Sequence, residues 1–173
     1  MSGLLQARYP TGRLTVLATS GSYLSLHTHA WNAPDLAPLW TALARRGRNR
    51  LLPTAAGVIA YRRRTTEIDV TLDFAVCGEV DKNGVAYADP WIGLQTNLEE
   101  LHDQIFADPA TTAGTRNTRL TMPSGVDRTG AVHWLRLEHT RTLEGQNELT
   151  GGEGVVWLGR VALSIPDSTS FVT

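Results

Sequence analysis

One cysteine, Cys77, and one lysine, Lys82, stand in a chain of 173 residues, and each scarcity removes a class of explanation. A single cysteine forms no internal disulfide, so the fold is not a cross-linked scaffold, and Cys77 is expected as a small buried side chain at a strand end. No apolar run approaches the roughly 20 residues of a membrane-spanning helix, which excludes helical insertion on length. The start Met1-Ser2-Gly3-Leu4-Leu5 lacks the basic residues and apolar stretch of a secretory signal, so synthesis and retention in a cytoplasm are expected. Net charge is also missing. A formal -1 gives no global attraction to nucleic acid or anionic lipid.

What is present is an ordinary globular composition, 42% hydrophobic, without internal repeat, linker or low-complexity segment. The expectation is one domain over residues 1–173. Its organising stretch is Thr66 to Gly78. Ile68, Val70, Leu72, Phe74 and Val76 alternate with Glu67, Asp69, Thr71 and Asp73, the period-two pattern of a strand with one face on a core and an acidic face outside.

Before that strand, Arg13 to Thr19 and Ser22 to Thr28 read as a hairpin around Ser20-Gly21, and Leu36 to Arg45 allows one or two helical turns. Asn49 to Gly57 has the composition of a loop, and Val58 to Arg63 resumes as a strand leading into the central one. After it, Asn83-Gly84 marks a turn. A helix is predicted from Pro90 to Ala107, capped by Asp89 and closed by Asp108-Pro109, with Trp91, Leu94, Leu98, Leu101 and Ile105 toward the core. Asn117 to Met122 and Ala131 to His139 read as an antiparallel pair, Thr140 to Gly154 as a long connection or hairpin tip, and Val155 to Ile165 as the closing strand. About seven strands and one main helix predict a mainly β chain, a β-sandwich with a helix packed on it.

Candidate chemistry is thin. Gly21, five residues, then His27-Thr28-His29 matches the opening of the cupin metal motif, and two imidazoles at alternate strand positions can share a metal. The glutamate the motif needs is replaced by Ala33 and Pro34, so both histidines are expected as exposed strand residues and a cupin-like metal-dependent enzyme is the lesser alternative. Ser124 lacks the strained frame of a nucleophilic serine. Asp81-Lys82-Asn83-Gly84 has Ile92 where a calcium loop places its bidentate acid. No catalytic residue, cofactor or metal is expected.

Charge is uneven along the chain. Arg45, Arg46, Arg48, Arg50, Arg62, Arg63 and Arg64 crowd into twenty positions, while the exposed side of the central strand carries Glu67, Asp69 and Asp73. A solvated loop is the ordinary reading of such a run. The sharper one is pairing between copies of the chain, for which the planar guanidinium is suited.

Several stretches carry a resemblance: Trp31-Asn32-Ala33-Pro34-Asp35-Leu36 through Trp40, Arg48-Asn49-Arg50-Leu51-Leu52-Pro53, Arg63-Arg64-Thr65, Val76-Cys77-Gly78-Glu79-Val80-Asp81, Gly93-Leu94-Gln95-Thr96-Asn97-Leu98, Leu120-Thr121-Met122-Pro123-Ser124-Gly125 and Leu163-Ser164-Ile165-Pro166. In pattern and order the chain resembles small minor tail proteins of actinobacterial siphophages, which are similar to the N-terminal half of the distal tail protein. The resemblance implies a β-sandwich plus helix and a homo-oligomeric ring, a hexamer, joining the tail tube to the tip. Implied partners are the tube protein, the tape-measure protein and the tip or hub proteins, with DNA only passing through the lumen. The implied location is the virion tail, assembled in the host cytoplasm. The tail tube subunit shares this architecture and stands as the alternative. Beside the longer distal tail proteins, which have a second, C-terminal domain, a single domain is expected here, so the expected role is mechanical.

Overall fold

The computed structural model describes residues 12–44, 50–54, 57–61, 67–107, 114–122, 124–166 and 171. The chain is mainly β. Seven strands hydrogen-bond in one antiparallel order, β2-β1-β7-β8-β9-β6-β3, and curl around a common core. They are β1 (Arg13–Leu17), β2 (Tyr23–Ser25), β3 (Trp31–Asn32), β6 (Ile68–Cys77), β7 (Arg116–Thr121), β8 (Asp127–Asn147) and β9 (Gly152–Ile165). A separate two-stranded sheet pairs β4 (Arg50–Thr54) with β5 (Gly57–Tyr61).

The organising strand forms as its alternation dictates. β6 pairs with β9 from Ile68↔Ile165 to Cys77↔Val156 without a register shift. Val70, Leu72, Phe74 and Val76 are thereby set beside Leu163, Val161 and Trp157 on the core face, all buried. Leu14, Val16, Leu120, Val132 and Trp134, from the other half of the sheet, enter the same core, which is what the curl accomplishes. Its cause lies in β8, whose pairing with β9 shifts at Trp134/Arg136 and again at His139/Arg141. An extra residue on one strand bends and twists that strand locally. Cys77 is fully buried on the opposite face, in a small second cluster with Ala75, Val80 and Val156.

Helix α1 (Ala37–Ala44) lies alongside β6, with Leu36 and Leu39 buried in the core. Helix α2 (Pro90–Leu101) starts where predicted. Asp89 Oδ1 accepts from the Trp91 amide at 2.8 Å and from the Ile92 amide at 3.4 Å, and Pro90 opens the first turn. It then continues as one π-helical turn, His102–Phe106, closed by an Ala107 N–H donating to His102 O at 2.8 Å.

The buried line of α2 differs from the predicted one. Leu94, Leu101 and Ile105 reach the core, Leu98 only partly, and Trp91 is 50% exposed. The reason is backbone contact. A Cβ on Gly93 would stand 2.1 Å from Gly78 O and one on Gly78 would stand 1.9 Å from Pro90 O, so these glycines let the helix start meet the end of β6 directly. Asn97 occupies the inward line one turn on. Its Nδ2 donates to Cys77 O and Val80 O at 2.8 and 2.9 Å, and its Oδ1 accepts from Tyr87 Oη at 3.1 Å.

Two expected connections are strands. The Asn49 to Gly57 stretch contains β4, with Pro53 opposite Val58, a place open to proline because the pair has no further strand neighbour among the described residues. The Thr140 to Gly154 stretch is the far half of a long hairpin, in which β8 runs on to Asn147 and β9 begins at Gly152. Asn147 Oδ1 holds its tip by accepting from the Thr150 amide and hydroxyl, both at 3.0 Å. Of the strand expected to lead into β6, residues 57–61 are described as β5.

Candidate subunit interface

The acidic face of β6 is built by register. Glu67, Asp69 and Asp73 are exposed, as the alternation required. Pairing with β9 puts Ser164 opposite Asp69, Ala162 opposite Thr71 and Arg160 opposite Asp73, and β8 adds His133, Arg136 and Glu138 in the next row. Arg160 Nε stands 3.4 Å from Asp73 Oδ1, Arg136 Nε stands 2.6 Å from Glu138 Oε1, and Ser164 Oγ donates to Glu67 Oε1 at 2.7 Å. The face is therefore mixed in sign. Its arginines come from β9 and β8, far away in sequence, and only strand register reveals them. Solvated pairs of this kind contribute about 0 to 1 kcal/mol each, too little to hold subunits together.

Of the arginines singled out in the sequence, Arg45, Arg46, Arg48, Arg62, Arg63 and Arg64 lie outside the described residues. Arg50 opens β4 opposite Tyr61. The structure thus sets Glu67, Asp69 and Asp73 at the surface and Arg50 at the start of a strand.

Two further features share the region. A cleft of about 830 Å³ opens beside the β8–β9 hairpin, with Ala75, Leu143, Leu149 and Leu158 as its apolar lining and Asp73, Glu144, Glu148, Arg141 and Arg160 among its charged residues. The second feature is an edge. β7 pairs with β8 only from Asp127 to Val132, so from His133 to Asn147 no described strand lies on that side of β8. Leu135, in the first bulge, is 51% exposed. A strand edge of this length displays backbone N–H and C=O groups open to another chain.

No protein-family model matches this chain, and no curated protein sequence matches it.

The histidine pair resolves differently from its expectation as an exposed strand element. His27 is buried, 7% exposed, and both ring nitrogens are committed: Nε2 accepts from the Leu14 amide at 3.1 Å and Nδ1 lies 2.9 Å from Asn32 Oδ1. The pattern assigns a neutral ring with its proton on Nδ1, donated to Asn32. Burial pushes its pKa below the ordinary value, partly offset by the Asn32 hydrogen bond and reinforced by nearby Arg13. His29 sits two residues on, exposed, beside Gly84. With the His27 nitrogens so occupied, the pair is not poised to share a metal. Among the described residues no group of three or more His, Cys, Asp or Glu side chains could hold a metal ion. Asp81 Oδ1 is engaged in its own turn, accepting from the amides of Asn83 and Val85 at 2.9 and 2.8 Å.

Sequence reasoning passed over Arg116, which is buried in β7. Its guanidinium donates to Ile105 O at 2.6 Å, Ala107 O at 2.7 Å, Leu17 O at 3.3 Å and Thr19 Oγ1 at 2.9 Å. Burial lowers its pKa. It ties the C-terminal carbonyls of the π turn to the β1–β2 hairpin, a helix end where a cation is favoured. No spacing signal in the sequence could have identified it, because its acceptors are backbone carbonyls and a hydroxyl brought together from separate segments.

Proposed function

We propose that the chain is a ring-forming structural subunit of a long non-contractile phage tail, in the distal position where tail tube meets tip. The starting point is the resemblance of its ordered segments to small tail proteins, whose implied architecture of β-sandwich and helix is compatible with the seven-stranded sheet and α2. The observation that carries the reading is the edge of β8 from His133 to Asn147, beside which no described strand lies. An edge this long invites strand addition by another chain, and addition between unlike surfaces of identical subunits closes into a ring when the rotation divides a full turn. The ring encloses a lumen for DNA and the tape-measure protein and offers its two ends to the tube and the tip.

Light scattering on the purified chain, with negative-stain electron microscopy, tests this. Closed rings are expected, and Leu135→Lys with Thr140→Lys should return them to folded monomers by charging the β8 edge. A chain that stays monomeric at every concentration and enters no tail particle overturns the reading. Open-ended stacks in place of single rings favour the tail tube position.

A further inference from the structure

β7 pairs with β8 only as far as Val132 and β6 pairs with β9 only as far as Val156, so residues 144–147 and 152–155 of the β8–β9 hairpin have no described strand on either flank. A two-stranded ribbon alone is at best marginally stable in water. At its root the Gly78 amide donates to Val155 O at 2.9 Å and the Val155 amide donates to Glu79 Oε1 at 2.5 Å, so the Glu79 side chain takes the place of a further residue of β6. Glu79 is 4% exposed, and its Oε2 has no hydrogen-bond partner among the described residues. Gly154 admits the carboxyl group, since a Cβ there would stand 1.7 Å from Oε1. The Glu79 backbone is fixed: its carbonyl accepts from the Tyr87 amide at 2.8 Å, and Asn97 Nδ2 on α2 holds the carbonyls of Cys77 and Val80 on either side of it. The ribbon is therefore the movable partner of this contact.

We propose that Glu79 is a latch that docks the β8–β9 ribbon on the sheet and thereby controls assembly without touching the partner. This rests on the reading of β8 as the edge that accepts another copy, because that edge continues from the body of the sheet into the ribbon only while the ribbon is docked. A buried carboxyl group satisfied through one oxygen regains water at the other when it is released, which lowers the cost of opening. The ribbon then undocks as a unit while the core strands stay folded. A second copy that adds to the edge binds the docked form and draws the balance toward it.

Hydrogen exchange on the dilute, unassembled chain reads the latch directly. Glu79→Ala should speed exchange of residues 144–155 by about tenfold, the worth of one lost hydrogen bond, and leave β1, β6 and β7 at their natural rates. Gly154→Ala crowds the carboxyl group from the other side and alters no residue of β8; it should do the same and serves if Glu79→Ala fails to fold. Glu79→Gln, which keeps an oxygen for the Val155 amide, should fall between the natural chain and Glu79→Ala. Both alanine variants should also raise the concentration at which the chain assembles by about tenfold, read by light scattering. Faster exchange spread evenly over the sheet, or no change, overturns the latch. A ribbon that loosens while assembly is unaffected overturns its control of assembly, and either result leaves the ring reading standing. A natural chain that never assembles overturns the ring reading and the control of assembly together, while exchange on the monomer still decides the latch.

Discussion

At the scale of single residues, the polar groups that matter most are buried ones. His27 must be neutral to accept the Leu14 amide, because a proton on Nε2 would face another N–H. Its folded pKa lies below the ordinary 6.5, so as pH falls through that value the unfolded chain takes up the proton first. Its contribution is full above about pH 6.5 and is lost as pH falls toward the folded pKa. The unfolding midpoint should therefore drop between about pH 7 and pH 5 more steeply in the natural chain than in His27→Gln, the exposed histidines being common to both. Parallel profiles would show that His27 is not the titrating group. The sequence reading expected His27 and His29 to be replaceable together. With His27 buried, only His29→Ala should be neutral, while His27→Ala leaves the Leu14 amide and Asn32 without their ring partner. Arg116 makes a second residue-scale case. Arg116→Met keeps much of its apolar stem but orphans the Ile105 and Ala107 carbonyls, and hydrogen bonds to charged groups contribute about 1.5 to 3 kcal/mol each. A loss of several degrees in Tm is expected, with hydrogen exchange fastest at the π turn.

At the scale of elements, α2 illustrates how a correct helix can carry an incorrect face. Its start and caps follow from Asp89 and Pro90, local chemistry that any context preserves. Its rotation depends on how closely it meets Gly78, a contact set in three dimensions by two residues with no side chain. Leu101→Ala, at a fully buried site, should cost about 2 to 5 kcal/mol in chemical denaturation, and Leu98→Ala distinctly less because Leu98 only borders the core. Equal losses would mean that the helix is rotated toward the predicted face. Gly93→Ala should be as damaging as Leu101→Ala despite adding one methyl, since backbone atoms stand where its Cβ would go. The β8–β9 arm was hidden for the opposite reason. Thr140, Arg141, Thr142 and Glu144 are all exposed, so no face of the arm is buried enough to impose alternation. Backbone pairing from Arg141↔Leu158 to Asn147↔Gly152 makes it a strand.

For the whole molecule, the proposed ring joined at the β8 edge predicts a weak response to salt. Raising ionic strength from about 0.05 to 0.5 M should leave rings largely intact, because screening acts on exposed charge and little on strand hydrogen bonds or apolar burial. Complete dissociation at moderate salt would mean that charge alone holds the copies. The division between sequence and tertiary structure runs along interaction range. Alternation from Ile68 to Val76, the Asp89-Pro90 helix start, the Gly84 turn and the burial of Cys77 were all legible, because each depends on neighbours in sequence or on a periodic pattern. Only the folded chain decided that Arg160 meets Asp73, that Arg116 binds carbonyls from two segments and the Thr19 hydroxyl, that His27 is buried, and that no described strand pairs with β8 on the β7 side beyond Val132. Those facts follow from strand order and register. Such pairings join residues up to about a hundred positions apart, where sequence spacing carries no information and backbone hydrogen bonding and core packing choose the partner.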